Sequence, residues 1–173
     1  MLYNNTMRGE YYVKKRSVYL DTSIISYLDA KDTPEKMEAT LHLWSILKTD
    51  KYDVFVSSVV FEEINKCSEP KRSFMIEMLN KINYIELEPS SNIADLVIEY
   101  LENRVLKAKS INDLMHIAYA VANDIDYIVS WNFKHFVNVN TIQMVNSVNM
   151  ELGYDMIQII PPVMLEGEEN EGK

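Results

Sequence analysis

Five short runs rich in β-branched and aromatic residues recur along the chain, and helical patterns separate them. They are SVYL (17–20), YDVFVS (52–57), NYIEL (83–87), DYIVS (126–130) and MIQII (156–160). Strands separated by helices cannot pair as tight hairpins; they return to one sheet in parallel through crossovers. This order predicts an α/β domain with a central, mainly parallel sheet of four to five strands flanked by helices. A length of 173 residues suits one such domain with its own core.

The helical segments carry local signals. After the first strand, SIISYL forms one or two turns. TPEKMEATLHLWSIL has Thr33 as N-cap, Pro34 at the first helical position and Glu35 in the first turn. Met37, Leu41, Trp44 and Leu47 make its expected buried stripe, with His42 at the surface. SVVFEEINKC and PKRSFMIEMLNKI follow, the second with Phe74, Met78 and Ile82 on one face. Residues 90–106 place Ile93, Val97, Tyr100 and Leu101 inward, and SINDLMHIAYAVAN (110–123) has the strongest helical pattern. A last helix, NTIQMVNSVNMEL, precedes the final strand, which Pro161-Pro162 stops. None of the four glycines builds a phosphate-binding loop.

Hydrophobic residues make up 47% of the chain, enough to fold rather than stay disordered. No apolar run approaches the roughly 20 residues of a membrane span, and the N-terminal stretch lacks a signal-peptide core. Cys67 is the single cysteine, so no internal disulfide and no cysteine-based zinc site is expected. These features lead us to expect a soluble cytoplasmic protein. Residues 1–16 read as an N-terminal extension, 17–165 as the domain, and 166–173 as a flexible acidic tail with Glu166, Glu168, Glu169 and Glu171. The net charge of −9 argues against a protein that coats nucleic acid with a general basic field. It leaves room for an enzyme that meets nucleic acid through a metal.

In open α/β sheets, ligands bind beyond the carboxyl ends of the strands. Asp21 follows the first strand directly, and Glu62 and Glu63 lie in the helix after the second. Asp113 is one turn into the helix that leads to the fourth strand, and Ser130 and Asn132 end that strand. Three acids from distant segments can therefore converge on one sheet edge. Clustered carboxylates repel one another unless a cation joins them, and oxygen donors favour Mg2+ or Mn2+ over zinc. Such a site suits phosphodiester hydrolysis.

Each residue also has a plainer reading. Asp21 can be a helix cap, Ser110 and Asp113 have capping-box spacing, Glu62 and Glu63 can form a solvated face, and Asn132 can be a turn residue. His116, on the same helix face as Asp113, reads as a packed histidine or a hydrogen-bonding support. Trp131 and Phe133 read as packing their turn rather than stacking on RNA. His135 is left between meeting phosphate and stabilising the turn. The functional case rests on joint placement.

That ordered set resembles the PIN-domain ribonucleases. SVYLDTSIISYL looks like their opening strand and first acid. VSSVVFEEI resembles their second strand and helix, with the second acid six residues after Ser57, at Glu63, and Glu62 as the alternative. INDLMHIAYAVANDIDYIVSWNFKHF is similar to the third acid, its helix and the next strand, and IIPPVML to the closing strand. The resemblance spans residues 17 to about 165. It implies a PIN-like three-layer fold and a Mg2+- or Mn2+-dependent endoribonuclease. Asp21, Glu63 and Asp113 would be catalytic and metal-binding, Asn132 would contribute to the metal site, and Ser23, Ser130 and His116 would support it. Many small members are VapC-type toxins held by a cognate antitoxin, and many are homodimers. Where many members carry a fourth aspartate, this chain has Asn132, and WN-x-x-H looks like a variant branch. Asparagine offers a neutral oxygen and cannot act as a base.

An acidic protein needs a local basic surface to hold RNA. Lys14, Lys15 and Arg16 begin the first strand, at the end away from Asp21. Arg104, Lys107, Lys109 and Lys134, with His135, are the expected phosphate contacts; a solvated helix face is the plainer reading. The main alternative function is a PIN-fold binding protein whose acids are a relic. Haloacid-dehalogenase-type phosphatases and receiver domains fit poorly. The first need an acid where Ser23 stands, and the second an acidic pair before Asp21.

Overall fold

The computed structural model describes residues 15–166. Residues 1–14 of the N-terminal extension and residues 167–173 of the acidic tail lie outside the described residues, while Glu166 ends the last helix. Among these residues, five strands form one sheet: β1 (Ser17–Leu20), β2 (Asp53–Ser57), β3 (Ile85–Leu87), β4 (Tyr127–Val129) and β5 (Gln158–Ile160). Their spatial order is β3-β2-β1-β4-β5, and every pairing is parallel. Among the described residues, eight α-helices flank the sheet: α1 (Thr22–Ser26), α2 (Pro34–Leu47), α3 (Ser58–Asn65), α4 (Lys71–Leu79), α5 (Ser91–Glu102), α6 (Ile111–Ala122), α7 (Val139–Leu152) and α8 (Pro162–Glu166). The expected α/β, PIN-like architecture is the one observed.

The central strands explain why the chain reads as it does. Every residue of β1 and β4 is buried, as expected for strands covered on both faces. Ser17–Leu20 pairs with β2 on one side and β4 on the other, with Leu20 opposite Val129. Going from β1 through β2 to β3, the chain walks outward; it then crosses to the far side of β1 to lay down β4 and β5. The order reverses between β1 and β4, and that is where a parallel sheet opens a crevice at its carboxyl edge. Lys15 and Arg16 sit at the opposite edge, where Lys15 Nζ lies 2.8 Å from Asp50 Oδ2 and Arg16 Nη1 lies 3.5 Å from Asp126 Oδ1.

Several helices differ in detail from the sequence expectation. In α2 the buried face is Thr40, Leu43, Trp44, Ile46 and Leu47, while Met37 is half-buried and Leu41 is 45% exposed. The turn-to-turn pattern allows either residue 40 or 41 to face inward. Trp131 decides it, because its buried indole N–H donates to Thr40 Oγ1 at 2.8 Å. Thr33 stands at the N-cap but makes no side-chain cap bond to the helix; its hydroxyl donates back to the Ala30 carbonyl at 3.5 Å. In α4 it is Met75 and Leu79 that are fully buried, with Phe74 and Met78 half-buried beside them, and Ile82 is buried in the turn that follows. Helix α5 ends at Glu102, short of 106, because Arg104 adopts a left-handed conformation (φ 57°) and reverses the chain. Among the described residues, no helix is long and apolar enough to cross a membrane.

Candidate active site

The register fixes the first carboxylate. Leu20 lies opposite Val129, so Asp21 and Ser130 leave the sheet side by side. Asp21 N donates to the Val129 carbonyl, and Ser130 N to the Ile160 carbonyl, which carries the sheet bonding one residue further. The Asp21 carboxylate is 4% exposed. It accepts from the Ser23 backbone N–H, from Ser23 Oγ at 3.1 Å and from Ser130 Oγ. Asp21 is thus the N-cap of α1, as its plainer reading holds, and at the same time the acid at the sheet's switch point. Burial pushes its carboxyl above the ordinary range, while the charge of His116 and the bonds from Ser130 and Ser23 pull it back.

Glu63, on α3, turns inward while Glu62 is exposed. Glu63 Oε2 accepts from Thr22 Oγ1 at 2.5 Å and lies 3.3 Å from His116 Nε2; Oε1 accepts from Asn112 Nδ2 at 3.2 Å. Burial alone would raise this carboxyl. The hydrogen bond and charge of His116, with the donors on Thr22 and Asn112, outweigh it and hold the pKa at about 2. His116 is buried and anchored from behind: its Nδ1 lies 2.6 Å from Tyr19 Oη, which lies 2.6 Å from Ser57 Oγ. Burial keeps the Tyr19 hydroxyl protonated.

Asp113 does not close the start of α6. Ser110 makes no cap bond, and its hydroxyl instead lies 3.2 Å from His135 Nδ1. Asp113 faces the segment after β4: Oδ1 accepts from Asn132 Nδ2 at 3.2 Å, and Oδ2 lies 2.5 Å from His135 Nδ1. Asn132 is more than a turn residue. Its backbone N–H donates to Ser130 Oγ at 2.9 Å, and its side-chain oxygen accepts from His135 N at 3.0 Å. His135 meets Asp113, where the sequence left it between phosphate and turn.

Neutral residues link the three acids at this edge of the sheet. Ser130 and Asn132 link Asp21 to Asp113; Thr22, next to Asp21, reaches Glu63; Asn112, next to Asp113, also reaches Glu63. Among the described residues, no three His, Cys, Asp or Glu side chains are grouped closely enough to hold a metal ion. Asn112 and Asn132 turn their amide nitrogens to Glu63 and Asp113, so the oxygens left to meet a cation are those of the carboxylates and hydroxyls, a set whose chemistry suits a hard divalent ion. Sequence reasoning missed Thr22, Asn112, Tyr19 and Ser57. Thr22 and Asn112 are each adjacent to an acid, which is the one local signal they carry.

Beside Asp113 lies a cleft of about 820 Å³. Its lining includes Arg104, Lys107, Lys109, Ser110, Lys134 and His135. The structure thus gathers the cations that the sequence placed only near the third acid, and Ser110 and His135 join this cleft to the acidic crevice. Trp131 is 8% exposed, as expected for a residue that packs the turn, whereas Phe133 packs one side of its ring on Trp131 and is 47% exposed.

No protein-family model and no curated protein matches the chain. Solved structures do match it. A chain in the crystal structure of VapBC2 from Rickettsia felis, bound to a DNA fragment from its promoter, is 21% identical with a TM-score of 0.50. That match covers 68% of this chain and 89% of the other. A chain in the structure of DNA-bound VapBC from Salmonella typhimurium is 13% identical with a TM-score of 0.53, covering 85% of this chain and 98% of the other. At these identities the likeness is one of fold, and it is the PIN-like fold of VapC.

Proposed function

We propose that this chain is an endoribonuclease that works with Mg2+ or Mn2+, and that it is the toxin of a toxin–antitoxin pair. One observation supports the catalytic half: Asp21, Glu63 and Asp113, from three distant segments, are linked through Thr22, Asn112, Ser130 and Asn132 at the carboxyl edge of a parallel sheet, beside a basic cleft. In this reading Asp21, Glu63 and Asp113 hold the cation, and Asn132, whose amide nitrogen faces Asp113, steadies that acid. A bound cation supplies an activated water and offsets charge on the phosphate. Ser23 and Ser130 aim Asp21, His116 holds Glu63, and His135 orients Asp113. Arg104, Lys107 and Lys134 hold the RNA backbone. Residues 17–165 are the catalytic unit, acting in the cytoplasm as a homodimer. The toxin half is supported by the fold shared with VapBC proteins, and it supplies a cognate antitoxin as partner.

Asp21→Asn and Asp113→Asn test this directly. Each is expected to abolish Mg2+- or Mn2+-dependent cleavage of RNA while circular dichroism stays native. Undiminished cleavage by both variants would sink the assignment. A second reading, a PIN-fold protein that binds without hydrolysis, has one observation in its favour: each carboxylate is already engaged by neighbouring donors. Calorimetric titration with Mn2+ separates the two. Binding by the parent chain and none by Asp21→Asn favours the nuclease.

A further inference from the structure

We propose that Phe133 and Lys36 form a docking platform for one unpaired RNA base and its phosphate at the rim of the acidic crevice, outside the basic cleft. The inference rests on the ribonuclease reading and extends it to a second contact with the same strand.

Three observations meet here. The segment after β4 buries Trp131 and Phe136, with 8% and 1% exposed, yet leaves Phe133 47% exposed at the mouth of a polar site. Beneath it the platform is rigid. Phe133 stacks at a tilt on Trp131 with ring centroids 6.1 Å apart; the Trp131 indole is pinned to Thr40, and the Trp131 backbone N–H donates to Ser23 Oγ at 2.9 Å. Ser23 in turn holds Asp21. The ring is therefore fixed to the same frame as the first acid, one residue before Lys134, which lines the cleft.

The third observation is a cation. Lys36 Nζ lies 5.0 Å from the Tyr27 ring centroid, 5.4 Å from Trp131 and 5.6 Å from Phe133. Its charge rests on three rings, which attract a cation without cancelling its charge. An exposed aromatic ring beside a cation is the pair of groups that a single-stranded nucleic acid uses, with a base on the ring and a phosphate on the charge. In a chain of net charge −9, such a cation beside an acidic crevice counters the general repulsion of RNA. Stacking reads the π-face common to all bases, so the platform positions the strand without selecting a sequence.

The test uses the full chain in EDTA, so that nothing is cut, and an eight-nucleotide single-stranded RNA. The other tryptophan, Trp44, is buried in the core, so Trp44→Phe leaves Trp131 fluorescence as the reporter. Phe133→Ala is expected to weaken binding about five- to a hundred-fold, while Phe133→Tyr retains it. Lys36→Gln should lower the slope of log affinity against log salt by about one. Scanning one abasic nucleotide along the RNA should reveal a position that weakens the parent to the same extent and adds nothing in Phe133→Ala. Unchanged RNA affinity in Phe133→Ala, or abasic losses that simply add to it, overturns the platform while the ribonuclease reading stands. The same holds if Phe133→Ala weakens only binding to a partner protein. No RNA binding by the parent chain in EDTA overturns the platform, and the ribonuclease reading then falls only if cleavage with Mn2+ is also absent.

Discussion

Replacing Tyr19 by phenylalanine deletes one oxygen from the floor of the crevice and leaves the ring in place. Tyr19 has no exposed surface, and its hydroxyl lies 2.6 Å from both Ser57 Oγ and His116 Nδ1. Ser57 is fully buried and the His116 side chain is 3% exposed, so water cannot replace the lost partner at either atom. Each stranded buried polar group costs about 1–3 kcal/mol. Because both losses fall on one shared oxygen, the expected total is about 2–4 kcal/mol rather than the full sum. The ring is retained, so no cavity beyond one oxygen adds to it. For a domain of this size that is a fall in Tm of about 5–15 °C. Urea unfolding followed by circular dichroism measures it. Adding Ser57→Ala removes one of the two stranded groups and should recover part of the loss. A change below about 0.5 kcal/mol in Tyr19→Phe would refute the claim that this hydroxyl anchors His116.

Three further outcomes are expected. Asn132→Asp replaces an amide donor 3.2 Å from Asp113 with a like charge, so thermal stability in EDTA should fall and the rise on adding Mn2+ should exceed that of the parent; equal responses would count against a shared cation site. Glu63 is depressed from 4.5 to about 2, so its stabilising bonds are complete above pH 4.5 and disappear as pH falls through 2. The stability gap between the parent and Glu63→Gln should therefore shrink as pH falls from 4.5 towards 2, and a gap that grows in acid would contradict the sign. Arg104→Gly places glycine in a left-handed position and removes a cation from the cleft, so it should raise stability by about 1 kcal/mol while lowering RNA affinity. A destabilised variant would show that the Arg104 side chain, rather than its backbone, sets the turn.

Much of the site was legible because each acid follows a local landmark. Asp21 ends an apolar run, Glu63 stands on the helix after the second strand, and Asp113 begins a strongly patterned helix. The errors came where two local readings were equally good. Capping-box spacing was the plainer alternative for Asp113, and its carboxylate instead faces Asn132 and His135. An apolar stripe favoured Leu41 until the Trp131 indole required an acceptor at Thr40. Phe133 looked like its neighbour Trp131, yet the turn buries one ring and exposes the other.

What the amino-acid order determined by itself was the alternation of strands and helices, the parallel sheet that follows from it, and the placing of acids just past strand ends. Those are consequences of side-chain period and of turns a few residues long. The tertiary structure alone decided that β4 lies beside β1, that Thr22 and Asn112 reach Glu63, and that four cations share one cleft. The physical reason is distance along the chain. Ser130 and Asp21 are 109 residues apart in sequence and meet only because the crossover from β3 to β4 returns the chain to the middle of the sheet. No local pattern encodes that return; it is set by which faces of the helices and the sheet bury the most apolar surface together.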